Sequence, residues 1–162
     1  MTELASKQRP KRPEFRNINA LSDLPSYRLP PAGWVSILHR ISGFIMFLLM
    51  PFIIWMFDKS ISSEISFAKF TALFNVGPTW TIYYWRASPL VEFTVPGWIF
   101  KLVALALIWA YLHHFIAGLR HLWMDVSHAA VSKEFGKSSA LFTLAVSIIL
   151  TLALGAKLFG IY

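Results

Sequence analysis

The chain has 162 residues, 56% of them hydrophobic and 14% charged, with a mean hydropathy of +0.56. That apolar content exceeds what one soluble core of this size can hide, so lipid is the expected solvent. The absence of cysteine excludes disulfides, cysteine-ligated iron-sulfur clusters and covalent CxxCH heme attachment, and the net charge of +7 reads as membrane topology rather than nucleic-acid binding, because seven of the fifteen Lys and Arg residues precede the first apolar run.

Residues 1–34 carry Lys7, Arg9, Lys11, Arg12, Arg16 and Arg28 together with Pro10, Pro13, Pro25, Pro30 and Pro31. So many prolines oppose a helix interior or a central strand, which predicts an extended basic arm. The stretch is too long and too charged for the n-region of a cleaved signal peptide and is expected to persist in the mature protein. A first transmembrane helix is predicted over 35–57, entered past Gly33 and Trp34, whose indole suits an interfacial belt. Pro51 removes the helical hydrogen bond to Phe47 and predicts a kink within a packed bundle.

The segment 58–99 has no net charge, Lys59, Lys69 and Arg86 balancing Asp58, Glu64 and Glu92. Trp80, Tyr83, Tyr84, Trp85 and Trp98 read as material for a membrane surface, with a short interfacial helix near 63–75. A second span is predicted over 100–122, a link over 123–139 and a third span over 140–160. The apolar runs behind the three spans, 41–57, 102–119 and 140–159, approach the ~20 residues a helix needs to cross ~30 Å of hydrocarbon, and none alternates as a membrane barrel strand does. The expected fold class is therefore an all-α integral membrane protein with three transmembrane helices. By the positive-inside rule the basic arm places the N-terminus and the 123–139 link in the cytoplasm, and the 58–99 segment and the C-terminus outside.

Four of the five histidines fall between residues 113 and 128, and His113 and His114 lie inside the second apolar run. Ionisable groups at membrane depth usually face a partner, a cofactor or a water-filled cavity. With Arg120 at the cytoplasmic end of the span, His114 lies ~9 Å inside it, and His121 stands two turns away on the same face, ~10 Å distant. One iron cannot be ligated from opposite sides by that pair, so a heme at His114 takes its second ligand from another helix. Ala110, Ala117 and Gly118 leave room beside His114 for a neighbouring helix or a flat macrocycle. The plainer reading, polar groups bonded across a helix interface, applies to His114 and more strongly to His113, while His128 reads as a solvated loop residue.

The first span opens with Ser36, His39, Arg40, Ser42 and Gly43. Arg40 taken alone is a snorkelling anchor; beside a serine and a histidine it offers a fork for carboxylates, next to a hydroxyl for a carbonyl oxygen. His39, Arg40, Arg120 and His121 are thus placed to gather two heme propionates, provided the first two spans are neighbours.

The run from Ser36 to Gly43 resembles the SxxHRxSG signature of the succinate dehydrogenase cytochrome b membrane-anchor family. The run from His114 to Asp125 resembles that family's HxxxGxRHxxxD pattern. The resemblance extends over Gln8-Arg9-Pro10, all three spans and the short link, and is weakest over 58–99. It implies half of a heme-binding helical bundle completed by a smaller anchor subunit, in a complex with a flavoprotein and an iron-sulfur subunit in a bacterial inner membrane. It implies that His114 is an axial ligand of a shared heme b, that His39 and His121 lie near its propionates, and that Ser36, Arg40 and Asp125 belong to the ubiquinone site. Two other readings stay open: a fumarate reductase-type anchor oxidising menaquinol, and a heme-free transporter subunit relaying protons through histidines.

Overall fold

The structure, a computed structural model, describes residues 27–84 and 88–162 together with residues 19, 22 and 23. The arm cations Lys7, Arg9, Lys11, Arg12 and Arg16, the Gln8-Arg9-Pro10 run, Pro13, Pro25, Trp85 and Arg86 lie outside the described residues.

Helix α1 spans Pro31–Leu48. Pro31 stands at the first helical position, where proline's fixed φ suits the helix and its missing N–H costs nothing, so the helix begins inside the region read as an arm. Leu49 ends α1, and helix α2, Met50–Ile61, resumes at once. The break falls where Pro51 has no N–H for Phe47. Helix α3, Glu64–Asn75, is closed at its start by a reciprocal cap in which Ser63 Oγ accepts from Ser66 N at 3.1 Å and Ser66 Oγ from Ser63 N at 3.0 Å.

An antiparallel hairpin follows, β1 Thr79–Tyr84 and β2 Ser88–Thr94, with Thr79 opposite Thr94 and a register shift between Ile82 and Tyr83. The segment read as a loop is thus mostly ordered secondary structure. Helix α4 runs Gly97–Val126, a 3-10 turn covers His128–Val131, and helix α5 runs Lys133–Leu158. Helices α4 and α5 outrun their apolar stretches, since a helix satisfies its own backbone beyond the hydrocarbon edge. Among the described residues, helices α1, α4 and α5 are the three long and apolar enough to span a membrane. The protein is an all-α multi-pass membrane protein carrying one small hairpin.

Helix α4 packs antiparallel between α1 and α5, its partners on α5 falling steadily as Arg120 with Ser139, His113 with Ser147, and Leu105 with Gly155. Where the three helices meet, the contact is made by Val35, Ala117 and Ala140, each fully buried. Small residues let membrane helices approach closely. Around them Ser42, His113, Thr143 and Ser147 are also buried, and the three hydroxyls bond back to their own helices. Phe44, Phe47, Phe115, Phe142 and Leu152 face outward. Polar groups inside and large apolar groups outside suit a lipid or subunit boundary and would be a liability in water.

At the other end of the bundle α3 lies between α2 and α4, joined to α2 through Trp55 and Phe70. Gly97 permits this packing, because a Cβ there would stand 2.6 Å from the Phe74 carbonyl oxygen.

Candidate functional site

The site grows from the antiparallel pairing of α1 with α4, which sets His39 and Ser42 against His114 and His121. The His39 and His114 rings stack with centroids 4.1 Å apart and planes 22° apart, and His39 meets His121 at 5.2 Å. His39 therefore stands between the two α4 histidines, which lie two turns apart. The three rings form one column at the α1–α4 seam.

Hydrogen bonding fixes which His114 nitrogen carries the proton. Nδ1 lies 3.1 Å from the His39 carbonyl oxygen and 3.2 Å from Ser42 Oγ. A carbonyl only accepts, and Ser42 donates its own hydrogen to that same carbonyl at 2.8 Å. Both oxygens thus call for a hydrogen on Nδ1, which leaves the Nε2 lone pair of the neutral ring free. Among the described residues Nε2 of His114 makes no hydrogen bond. A second-shell bond to a backbone carbonyl is the usual way a ligating imidazole is oriented. Gly43 makes the contact possible: a Cβ there would lie 3.0 Å from His114 Cε1 and 3.3 Å from Nδ1. At Gly118 there is no such constraint, since a Cβ there would meet His39 Nε2 at an ordinary 3.8 Å; among the described residues that nitrogen is buried without a hydrogen-bond partner.

Among the described residues no group of three or more His, Cys, Asp or Glu side chains could enclose a metal ion. One free imidazole nitrogen instead suits an iron that arrives with most of its ligands already in place, as in a porphyrin. The residues present fit that group.

The remaining candidates divide. Ser36 is half-buried and Arg40 exposed, one turn apart on α1, and among the described residues neither side chain has a hydrogen bond or ion pair. Asp125 is exposed in the last turn of α4. Arg120 is different. It is 9% exposed and donates from Nε to Ser139 Oγ at 2.9 Å and from Nη2 to the Gly136 carbonyl at 3.3 Å. Its guanidinium is committed to α5 and does not join the histidine column. Ala110 and Ala117, read as space beside His114, are fully buried, and a neighbouring helix occupies the space at Ala117.

A model of the family described as succinate dehydrogenase/fumarate reductase transmembrane subunit matches residues 7–154. The succinate dehydrogenase cytochrome b556 subunit of Coxiella burnetii is 34% identical over 127 residues, covering 78% of this chain and 85% of the relative. The subunit of the same name from Paracoccus denitrificans is 27% identical over 116 residues, covering 72% and 73%. The chain belongs to this transmembrane-subunit family. As a succinate dehydrogenase/fumarate reductase transmembrane subunit it is one component of a larger complex.

Two features of this transmembrane subunit were not visible in its sequence. One is the insertion of His39 between His114 and His121, because no periodicity within one helix reports its register against another. The other is Ser42, which the motif contains but which drew no role; its place three residues after His39, where its hydroxyl reaches back to that carbonyl, was the available signal. His113 lies on a separate face, fully buried, stacked on Trp109 at 5.5 Å and 3.2 Å from Ser147 Oγ. That is the interhelical polar contact expected of it.

Proposed function

We propose that this subunit is the larger of two membrane anchors of a succinate dehydrogenase, that it shares a heme b with the smaller anchor, and that it forms part of the ubiquinone-reduction site beside the iron-sulfur subunit. The observation that carries the reading is the His114 imidazole, held at Nδ1 by the His39 carbonyl and Ser42 and left with a free Nε2. His114 would hold the heme iron on this chain, and a residue of the partner anchor would supply the other protein ligand. A heme bound there supplies a one-electron carrier. His39, Arg40 and His121 are the groups for its propionates; Arg120, which its position at the end of the second span also suggests for them, is engaged on α5 and serves to fix the α4–α5 seam behind them.

In quinone reduction the Ser36 hydroxyl donates to a carbonyl oxygen of the head group, and the Arg40 cation sits where negative charge develops as electrons arrive from the iron-sulfur subunit. A cation at a membrane edge stabilises that charge more than bulk solvent does once the other subunits cover it from water. Asp125 supplies a carboxylate at the edge of the same site. The N-terminus is cytoplasmic in a bacterial inner membrane, which puts this site on the side that the flavoprotein and iron-sulfur subunits occupy.

The family description also covers fumarate reductase, and an anchor oxidising menaquinol is the second reading. Isolation of the assembly through a tag on this chain tests the proposal. Mass spectrometry should find flavoprotein, iron-sulfur and second-anchor subunits, and the reduced spectrum should show a b-type heme with ubiquinone preferred as acceptor. An assembly lacking heme, or one that turns over only with menaquinol, would overturn the heme or the quinone assignment respectively.

A further inference from the structure

Arg120 is a buried cation with neutral acceptors only. Its partners among the described residues are a serine hydroxyl and a backbone carbonyl, and no carboxylate there pairs with it. A charge removed from water is ordinarily paired, because leaving it uncompensated is costly. Beside it opens a cavity of about 540 Å³ between the start of α1, the last turns of α4 and the first turns of α5. Pro31, Ala32, Met124 and Val131 give it apolar walls, and Lys133 and Lys137 add two further cations. Among the described residues Glu134 is the single carboxylate in that lining, so two positive charges remain in excess there.

We propose that this cleft holds the phosphate of an anionic glycerophospholipid, with Arg120, Lys133 and Lys137 as its cationic wall. The amphipathic lining decides the class of ligand: apolar walls take the glycerol and the upper acyl chain where the spans end, and the cations take the phosphate. The excess charge favours a headgroup with a net negative charge over a zwitterionic one. Arginine's planar fork still has Nη1 without a partner among the described residues, and paired N–H donors suit phosphate oxygens. A lipid seated here ties the α4–α5 seam to the entry of α1. This assignment does not depend on the heme and quinone roles.

The test uses the intact complex, purified through this chain and exchanged into nanodiscs of phosphatidylcholine carrying a small fraction of either phosphatidylglycerol or a second phosphatidylcholine of distinguishable mass. After detergent washing, bound lipid is counted by native mass spectrometry. The native complex should retain phosphatidylglycerol selectively, and the double substitution Lys133→Gln with Lys137→Gln should weaken that retention about thirty-fold, from roughly 1 kcal/mol per basic residue near a lipid surface. Arg120→Gln should abolish it, and because that variant could fail to assemble, the lysine pair carries the decision, read beside an unchanged subunit composition in the same native mass spectra. Millimolar inorganic phosphate should not compete; competition by free phosphate would make this a soluble-anion site and overturn the lipid assignment. Equal retention by the double variant, or no preference for phosphatidylglycerol, would overturn it as well. So would carbodiimide coupling of Lys133 or Lys137 to a carboxylate of another subunit, which would give the cleft to a protein partner.

Discussion

Replacing Gly43 with Ala sets a small steric perturbation against the atom pair on which the site rests. The new Cβ would lie 3.0 Å from His114 Cε1 and 3.3 Å from Nδ1, so the ring must move by a few tenths of an ångström. It cannot slide freely, because His39 is stacked on it at 4.1 Å. Overpacking of this kind costs about 1–3 kcal/mol, and exchanging glycine for alanine inside a helix returns roughly 1 kcal/mol. The net loss of about 0–2 kcal/mol leaves an assembled bundle. The hydrogen bonds at Nδ1 are already 3.1 and 3.2 Å long, and the same shift brings them to the edge of hydrogen-bonding distance. The variant complex should therefore assemble with near-native thermal stability yet show a displaced heme midpoint potential or altered paramagnetic resonance of the oxidised heme. Gly136→Ala is the control, since nothing lies within 4 Å of a Cβ there; it should leave both signals native. A Gly43→Ala complex with native potential and native resonance would refute the link between the Nδ1 contacts and the heme.

Arg40→Ala should lower succinate-to-quinone activity at least tenfold while succinate oxidation by an artificial dye stays near native, and parallel loss of both would point to failed assembly. Ser36→Ala should act in the same direction more weakly, because it removes one neutral hydrogen bond worth about 1 kcal/mol rather than a charge. Gly97→Ala forces a Cβ to 2.6 Å from a backbone oxygen of α3. It should cost about 3 kcal/mol at the end of the bundle where α3 packs on α4, seen as faster proteolysis between residues 64 and 94 with an unchanged heme spectrum; an unaltered digestion rate would contradict the packing described there.

The spans were legible because hydropathy reports directly which backbone must satisfy itself in lipid, and the interruption beside Pro51 because a missing N–H is a local fact. Helix ends were less so. Apolar runs mark the hydrocarbon thickness, whereas α4 continues from Gly97 to Val126 through interfacial residues that carry no hydropathy signal. The 58–99 segment hid a hairpin because its strand pairing depends on contacts between residues fifteen apart, such as Thr79 with Thr94, and its aromatics suit a strand and an interface alike. At the site, the motif spacing brought His39, Ser42, Gly43, His114 and His121 into view one helix at a time. Their stacking order and the proton on Nδ1 required the register of α1 on α4. Arg120 shows the same limit from the other side: its depth at the end of the second span put it with the propionates, and its rotation about α4, one residue from His121, turned its guanidinium onto α5.

The most direct measurement compares the reduced absorption and oxidised paramagnetic resonance spectra of intact complexes carrying His114→Leu and His113→Leu. Loss or gross alteration of the b-type signal in the first, with a native signal in the second, is the predicted result. A native heme signal from the His114→Leu complex, or its loss only when His113 is replaced, would contradict the claim that the imidazole held by the His39 carbonyl is the one that reaches iron.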